Sequence, residues 1–554
     1  MSATILLLFA LICFIIAYIF YGRFVARRLG IDPTRKTPAH TMRDNVDYVP
    51  AKAPVLLGHH FASIAGAAPI IGPIAAAVFG WVPVFLWIIV GAIFMGAVHD
   101  FTSLVASVRH KGKSIGEVIE THIGHNGKQL FLIFAWSTLV LVISAFTILV
   151  VKTFVQTPAV GTSSSLFILL AIVFGFSIYR LNVPLSVATI VGVIILLLCA
   201  YLGVKFPLVF SADKACFSKI WTVIVLLYIF IASVTPVWIL LQPRDYLNSF
   251  LLYLVLIGAL IGIFIENPPV KIPQFIVFVD PKLGSLFPFL FVTVACGAIS
   301  GFHSLVASGT TAKQLNNEKD ARVVSYGAML IEGLLAVIAL ITVATLFPEE
   351  LKTKANPIAI FAGGIGSFVE KIGIPIKIGV TFAALAVSAF ALTSLDTATR
   401  LGRFAFQEFF KSSNNSLLTN RFSATFFTII PAAILAFSGS WQAIWPIFGS
   451  ANQLLAALAL LAGSVWLAKR QINNNFLKYP MFIMFAITFS ALVILLYKKI
   501  DLIISYVSHS PEITDVNIVG TIILALIGIL LFIVAVVLAV QAFRSLKATK
   551  VNMP

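Results

Sequence analysis

The chain has 554 residues, 60% of them hydrophobic and 11% charged, with a mean hydropathy of +1.03 and a formal net charge of +17. Soluble globular chains are roughly a quarter charged, so these values exclude a water-soluble domain of any size. The basic residues stand in short clusters between apolar runs, as in membrane loops, and not in the continuous face that nucleic acid needs.

The predicted fold is all-α and polytopic. At roughly 20 residues per crossing of a hydrocarbon core near 30 Å, the apolar runs give about 15 transmembrane spans. They lie at 2–22, 56–79, 81–107, 129–151, 164–180, 184–204, 218–241, 246–266, 286–309, 323–347, 376–402, 421–438, 441–468, 479–497 and 517–543. Helices are expected throughout, because lipid offers no partner to an open backbone. The first run, Ser2 to Tyr21, has no basic residue before it and no small-x-small site after it, so it reads as a retained helix and not as a cleavable signal. Arg23, Arg27 and Arg28 follow it, which places the N-terminus outside. Alternate loops, at 23–55, 108–128, around 180, around 244, 310–322, 403–420, 469–478 and the C-terminus, then fall inside. Those segments and their flanks hold all 14 arginines, among them Arg109, Arg322, Arg400, Arg403, Arg470 and Arg544. The other side carries lysines and acids such as Glu349, Glu350, Asp501 and Glu512. One missed span would scramble this segregation, so the positive-inside pattern supports both the count and an N-out, C-in orientation.

Two runs are poor helices in their middles. One reads Gly58-His59-His60-Phe61-Ala62-Ser63-Ile64-Ala65-Gly66-Ala67-Ala68-Pro69-Ile70-Ile71-Gly72-Pro73, the other Cys296-Gly297-Ala298-Ile299-Ser300-Gly301-Phe302-His303-Ser304-Leu305-Val306-Ala307-Ser308-Gly309-Thr310-Thr311. Gly and Pro disfavour a helix by about 1 and 3 kcal/mol per position. Each run places a His six residues before a Gly, and the two are seven spans apart, so they cross in opposite directions. Paired interruptions of this kind point to a transporter's midplane site; close packing through small residues is the alternative reading. The segment Phe347 to Lys371, with Pro348, Glu349, Glu350, Asn356, Pro357, Gly363, Gly364 and Gly366, reads as a partly helical outer loop, either a lid or a plain connection. Cys13, Cys199, Cys216 and Cys296 lie in or beside apolar runs without paired spacing, as packing residues.

With these strings in view the chain resembles the carbon-starvation protein A family of bacterial transporters. The likeness rests on Asp47-Tyr48-Val49-Pro50, the two interrupted runs, Gly96-Ala97-Val98-His99-Asp100-Phe101, Thr393-Ser394-Leu395-Asp396-Thr397-Ala398-Thr399-Arg400, Trp445-Pro446 with Phe448-Gly449, and Asn452-Gln453-Leu454. The resemblance implies a secondary transporter of the plasma (inner) membrane, related to the amino acid–polyamine–organocation superfamily. Its core would be two inverted five-helix repeats (LeuT-like) with two discontinuous helices, plus peripheral helices. Members are associated with uptake of peptides or of pyruvate, the latter looking proton-coupled. The expected organisation is a peripheral helix and inner loop over 1–55, a first repeat over 56–204, two inserted helices over 205–285, a second repeat over 286–470 including the outer loop 347–375, and two C-terminal helices over 471–554.

Ionisable residues inside a membrane are functional suspects: here His59, His60, His99, Asp100, His303, Glu332 and Asp396. The interrupted runs contain no Lys or Arg, so an anionic substrate would be held by half-helix N-termini. The backbone of Gly66, Ala67 and Ala68 and of Gly309, Thr310 and Thr311 would supply N–H groups, with the hydroxyls of Ser63, Ser304, Thr310 and Thr311 beside them. His60 and His303 are the leading groups for carrying a proton; a neutral His pinning unwound backbone is the alternative. His59 sits about 100° around a helix from His60, so both face one site only if the helix is unwound there. His99 and Asp100 read as a proton relay or as a cap with Arg109. Asp396 stands four residues before Arg400, the spacing of a local ion pair. Glu332 needs a proton or a partner that the sequence does not name. Ser388, Thr393 and Ser394 are the sodium candidates, against bonding to their own backbone. No cofactor or metal motif, catalytic motif, filter repeat or signalling domain is present, which sets enzyme, channel and sensor below a carrier of a small solute, with H+ as the partner ion.

Overall fold

The computed structural model describes residues 1–347, 356–411, 416–438, 441–508 and 518–551. Helix α1 (Ala3–Leu29) ends at Gly30, whose φ of 66° is the left-handed turn that glycine takes without strain, directly after Arg27 and Arg28. Helices α2 (Ala53–Ile64) and α3 (Ala68–Phe79) form a pair bent by 43°. They are followed by α4 (Trp81–Arg109), the short α5 (Ile115–His122), α6 (His125–Gln156), α7 (Pro158–Tyr179), α8 (Leu185–Lys205), α9 (Lys214–Val234) and α10 (Leu241–Glu266). A two-residue hairpin, Val279–Asp280 against Gly284–Ser285, leads into α11 (Leu286–Thr293), α12 (Ala295–Ala298) and α13 (Gly301–Val306). The last of these runs on through a wide turn at Ala307–Thr311 to Gln314. The remainder is α14 (Glu318–Ala344), α15 (Pro357–Glu370), α16 (Ile376–Phe409), α17 (Arg421–Ser438), α18 (Trp441–Lys469), α19 (Asn475–Val507) and α20 (Ile518–Val551).

Among the described residues, 12 helices are long and apolar enough to cross a membrane, or 13 with the bent pair counted as one span. The chain is therefore a multi-pass, mostly helical membrane protein. Two expected runs take another form: 286–309 is divided among α11, α12 and α13, and 421–438 is the shorter helix α17. Pro348, Glu349, Glu350 and Glu512 lie outside the described residues.

The connections gather into two sets. At one end Arg109 bonds Glu318 and the Gly30 carbonyl, Ala51 pairs with Leu315, Ser114 donates to Glu408, and the Val237 amide donates to the Val46 carbonyl. At the other Ser2 pairs with Pro269, Lys271 donates to the Ala344 carbonyl, Ile276 donates to the Phe79 carbonyl, and Asn356 donates to Gln156. The arginines at 109, 400 and 403 belong to the first end, with Asp47.

The helices between α6 and the hairpin pack unequally. α10 lies on α2, where Gly58 faces Tyr246 and Ser249, while α8 stands outermost against α7 with Ile190, Ile194 and Tyr201 exposed. α9 packs against α6, α16 and α17, and Tyr228 on it reaches Asp396. α15 is no loose connection: its N-terminus is capped by the Asn356 side chain, and Phe368 packs so closely on α10 that a Cβ at Gly262 would meet the Phe368 carbonyl at 2.2 Å.

Small residues let the interrupted segments nest. A Cβ at Gly72 on α3 would meet the Thr293 carbonyl at 2.5 Å, one at Gly96 the Ala298 carbonyl at 2.4 Å, and one at Gly301 the Asn452 carbonyl at 2.2 Å and the Ala456 amide at 2.4 Å. Gly301→Ala should therefore lower the midpoint of thermal unfolding in detergent, by overpacking worth about 1–3 kcal/mol. Gly363→Ala, on a helix position with nothing within 4 Å, should leave it unchanged or raise it.

Candidate functional site

The first interruption falls at Ala65–Ala67, where Ala65 has ψ of 47° and α3 restarts at Ala68 with Pro69 in its first turn. Ala67 and Ala68 therefore stand where a helix begins, and the first amides of a helix have no partner within it; the Gly66 amide, expected beside them, instead donates to the Ile64 carbonyl at 2.9 Å. A Cβ at Gly66 would lie 2.7 Å from Ser394 Oγ, so α16 closes directly over the gap. Ser394 donates to the Ser63 carbonyl at 2.9 Å, and Ser63 Oγ meets Thr397 Oγ1 at 3.1 Å.

The second interruption is not at Gly309–Thr311. It falls at Ile299 and Ser300, both extended (φ −159° and −133°), and α13 starts at Gly301. Gly309, Thr310 and Thr311 continue that helix through its wide turn, so their amides are spent on the helix, and Thr310 donates to the Val306 carbonyl at 2.9 Å. Ser304 likewise turns to its own backbone, donating to the Gly301 carbonyl. The matching His-x5-Gly strings are consequently not equivalent: His60 precedes its interruption and His303 follows its own. Asn452 of α18 holds the second gap. Its Oδ1 accepts from the Phe302 amide at 2.8 Å and from Ser300 Oγ at 3.2 Å.

The two interrupted segments touch. His60 on α2 shares a 2.8 Å hydrogen bond from Nδ1 with Thr311 Oγ1, while its Nε2 is buried without a partner. His59 faces away, donating to Asp245 Oδ2 at 2.8 Å and receiving a longer bond from Gln314. As the helical offset required, the two histidines serve different neighbours.

Four of the remaining suspects form one fully buried group. His99 Nδ1 lies 2.8 Å from Asp100 Oδ1, His303 Nδ1 lies 3.0 Å from Asp100 Oδ2, and His303 Nε2 lies 3.5 Å from Glu332 Oε2. With both Nδ1 atoms donating to Asp100, the free nitrogen of His303 is the one that looks at Glu332. Neither oxygen of Glu332 has a hydrogen bond. The expected cap by Arg109 does not occur, since that side chain pairs with Glu318. Asp396 does not pair with Arg400 either. It takes Arg244 of α10 and the Tyr228 hydroxyl, the latter at 2.6 Å. Arg244 also binds Asp245 at 2.7 Å, so α2, α9, α10 and α16 are tied by one buried network. Thr393 donates to the Ala389 carbonyl and receives Asn248, and Ser388 Oγ is buried and unpartnered.

Sequence reasoning passed over Arg244, Asp245 and Asn452 as site residues. The string Gln242-Pro243-Arg244-Asp245-Tyr246 at the start of an apolar run was the signal for the first two. Arg400 instead binds Asp47 Oδ1 at 3.1 Å and the carbonyls of Ala232 and Thr235, with Arg403 at 3.8 Å from Asp47 and Lys313 over the Phe404 ring. Burial pushes the Asp47 carboxyl up, but the charges of Lys313, Arg400 and Arg403 outweigh it and hold the group below the usual carboxylate range. A lowered folded-state value means that this latch contributes above the ordinary carboxylate range and is lost as pH falls through the lowered value. Thiol labelling of Val46→Cys should accordingly stay constant between about pH 5 and 8 and rise on Asp47→Asn. Asn452→Ala, which strips the Phe302 amide of its acceptor at a cost of about 1–3 kcal/mol, should lower thermal stability and speed amide exchange over residues 299–303.

Three kinds of comparison bear on this architecture. The family described as Carbon starvation protein CstA matches residues 2–353 and 347–491. The chain is 34% identical to Peptide transporter CstA of Helicobacter pylori (strain J99), over 90% of this chain and 82% of that one. It is 35% identical to Peptide transporter CstA of Campylobacter jejuni, over 84% and 76%, and 31% identical to Pyruvate/proton symporter BtsT of Escherichia coli K12, over 82% and 76%. In fold it is similar to a manganese transporter of Eremococcus coleocola solved with an aromatic bis-isothiourea compound, with a TM-score of 0.51, 14% identity, and coverage of 91% of this chain and 99% of that one. A match this long, joined to interrupted helices that meet in the interior, establishes that the chain belongs to the carbon starvation protein CstA family.

Proposed function

We propose that the protein is a proton-coupled importer of a small carboxylate, pyruvate or a short peptide, working by alternating access around the two interrupted helices in a bacterial plasma membrane. The observation that carries this reading is the buried group His99–Asp100–His303–Glu332, set beside the second interruption with no Lys or Arg in it. An ionised carboxylate buried without a hydrogen bond is costly, so Glu332 and His303 Nε2 are placed to share one exchangeable proton. The substrate's negative end is held at the start of α3 by the amides near Ala67 and Ala68, where the helix dipole favours an anion, with His60 Nε2 as its hydrogen-bonding partner. The family relatives named for peptides and for pyruvate with protons support this substrate class.

The reading also includes fifteen crossings, with the N-terminus outside. It is supported by the two sets of end contacts and by the clustering of arginines at one end. The repeats are then α2 to α6 with α9 and α10, and α11 to α18, with α7–α8 as the insertion. A sodium-coupled carrier is the second reading, favoured by Ser394 and Thr397 meeting Ser63 at the edge of the first gap.

Reconstituted in liposomes, the protein should take up pyruvate or dipeptides faster when the outside is acidic, without sodium. Glu332→Gln should abolish the response to the pH gradient while counterflow exchange persists. His60→Ala should weaken half-saturation roughly tenfold, as for loss of a hydrogen bond to a charged group. Uptake driven by a sodium gradient alone would transfer the coupling role to the Ser63–Ser394–Thr397 group.

A further inference from the structure

The arginine-bearing end holds a cavity that the transport reading does not use. Its volume is about 470 Å³, and Arg43, Tyr179, Arg180, Pro236 and Trp238 are among its walls. The guanidinium of Arg180 lies over the Trp238 ring at 5.3 Å, and Tyr179 packs on the same ring at 5.9 Å. α7 comes this close because residue 175 is glycine: a Cβ there would stand 2.7 Å from the Trp238 carbonyl. Arg43 reaches in from the loop before α2, its Nε bonded to Asn45. Among the described residues neither guanidinium meets a carboxylate, whereas Arg109, Arg244, Arg400 and Arg403 all do. Two exposed cations thus line one cavity with no carboxylate set against them, which suits the cavity to an anion.

A second feature adjoins it. Between α7 and α8 runs an apolar groove of about 150 Å³, lined by Leu170, Val173, Phe174, Val187, Val191 and Ile195, and it opens by Ser177 and Val183 at the turn that carries Arg180. From Val183 to Ile195 it extends about 18 Å along the helix, close to the depth of one leaflet of a hydrocarbon core about 30 Å thick. The valines at 173, 187 and 191 are at least half exposed, on the outer surface of the molecule. A basic cavity with room for a whole phosphate headgroup and an apolar groove leading away from it have the chemistry of one ligand, and basic pockets between membrane helices recognise lipid headgroups.

We propose that this is a binding site for an anionic glycerophospholipid, its phosphate between Arg43 and Arg180 and one acyl chain in the α7–α8 groove. The occupant bridges a peripheral hairpin to the loop that carries Asp47, and that loop is already pinned to the cavity floor by the Val237 amide on the Val46 carbonyl. Tyr179 in the wall donates to Gln242, which donates to Gln314, which donates to His59, so the site also adjoins the buried network on α2. Bound lipid therefore ties the α7–α8 turn, this loop and the network together in the arrangement described.

The test uses the full chain in neutral detergent, with thermal unfolding as the readout and no transport required. Dioctanoyl phosphatidylglycerol should raise the midpoint at lower concentration than dioctanoyl phosphatidylcholine, and glycerol 3-phosphate should not raise it at all. Arg43→Gln and Arg180→Gln should each weaken the apparent affinity roughly fivefold, and Val191→Trp, which fills the groove, should weaken it with both arginines intact. Equal stabilisation by the two lipids, or full response in the double arginine variant, overturns the proposal. Equal stabilisation by glycerol 3-phosphate overturns the lipid and assigns the cavity to a soluble phosphate. Should the arginine variants be too unstable to purify, lipid retention by Val191→Trp in native mass spectrometry decides: undiminished phosphatidylglycerol would refute the site.

Discussion

Inside a bilayer a helix can be interrupted only where the amides and carbonyls it releases find other partners, and most of this molecule's interior is arranged around meeting that requirement twice. At the first gap α16 comes close enough for Ser394 to take the Ser63 carbonyl, which is possible because residue 66 has no side chain. At the second, Asn452 of α18 takes the Phe302 amide and Ser300, across a contact that only glycine at 301 permits. The small residues that weaken the helices in isolation are the ones that let their supports approach. The same substitutions of Gly for larger residues thus break the helix and repair the break.

The second requirement is electrostatic. Charged groups removed from water must be paired, and the pairs here join helices distant in sequence, as Arg244 joins α10 to Asp396 of α16 and Arg400 joins α16 to Asp47. Removing one member of such a pair strands the other, which makes these contacts strong constraints on how the helices are arranged without making them strong sources of stability. The group around His303 differs in kind. It contains two carboxylates and two imidazoles but no permanent cation, so its charge can change by one proton without breaking a fixed ion pair. Fixed pairs toward the arginine-bearing end and a titratable group without a permanent cation at the gap are two different electrostatic solutions within one interior.

Much of the fold was legible along the chain. Hydropathy located the helices, the run of Gly, Ala and Pro after His60 located the first gap to within a residue, and intramembrane His99, Asp100, His303 and Glu332 were singled out before their mutual contact was visible. The errors have a common origin. Asp396 and Arg400 have ideal spacing for a local pair, yet α10 supplies Arg244 to the first and the loop before α2 supplies Asp47 to the second. Gly309 seemed to mark a gap because it follows a histidine as Gly66 does, but the extended backbone lies at Ile299 and Ser300, and Gly309 is small because Leu401 presses on it at 2.2 Å from its absent Cβ. Composition also does not separate a helix on the outer surface from one among its neighbours: α8 and α10 are both strongly apolar, yet α8 is 28% buried and α10 56%.

By itself, then, the sequence determined that the chain lives in lipid, where its helices run, which two are prone to break and which ionisable residues are submerged, since each of these follows from local hydropathy and local backbone preference. Tertiary structure alone decided which charge meets which, where the second helix opens and which helices form the core. Those outcomes depend on close approach between segments hundreds of residues apart, and in a low-dielectric interior the partner that arrives, not the neighbour in the chain, fixes what a charge or an unpaired amide does.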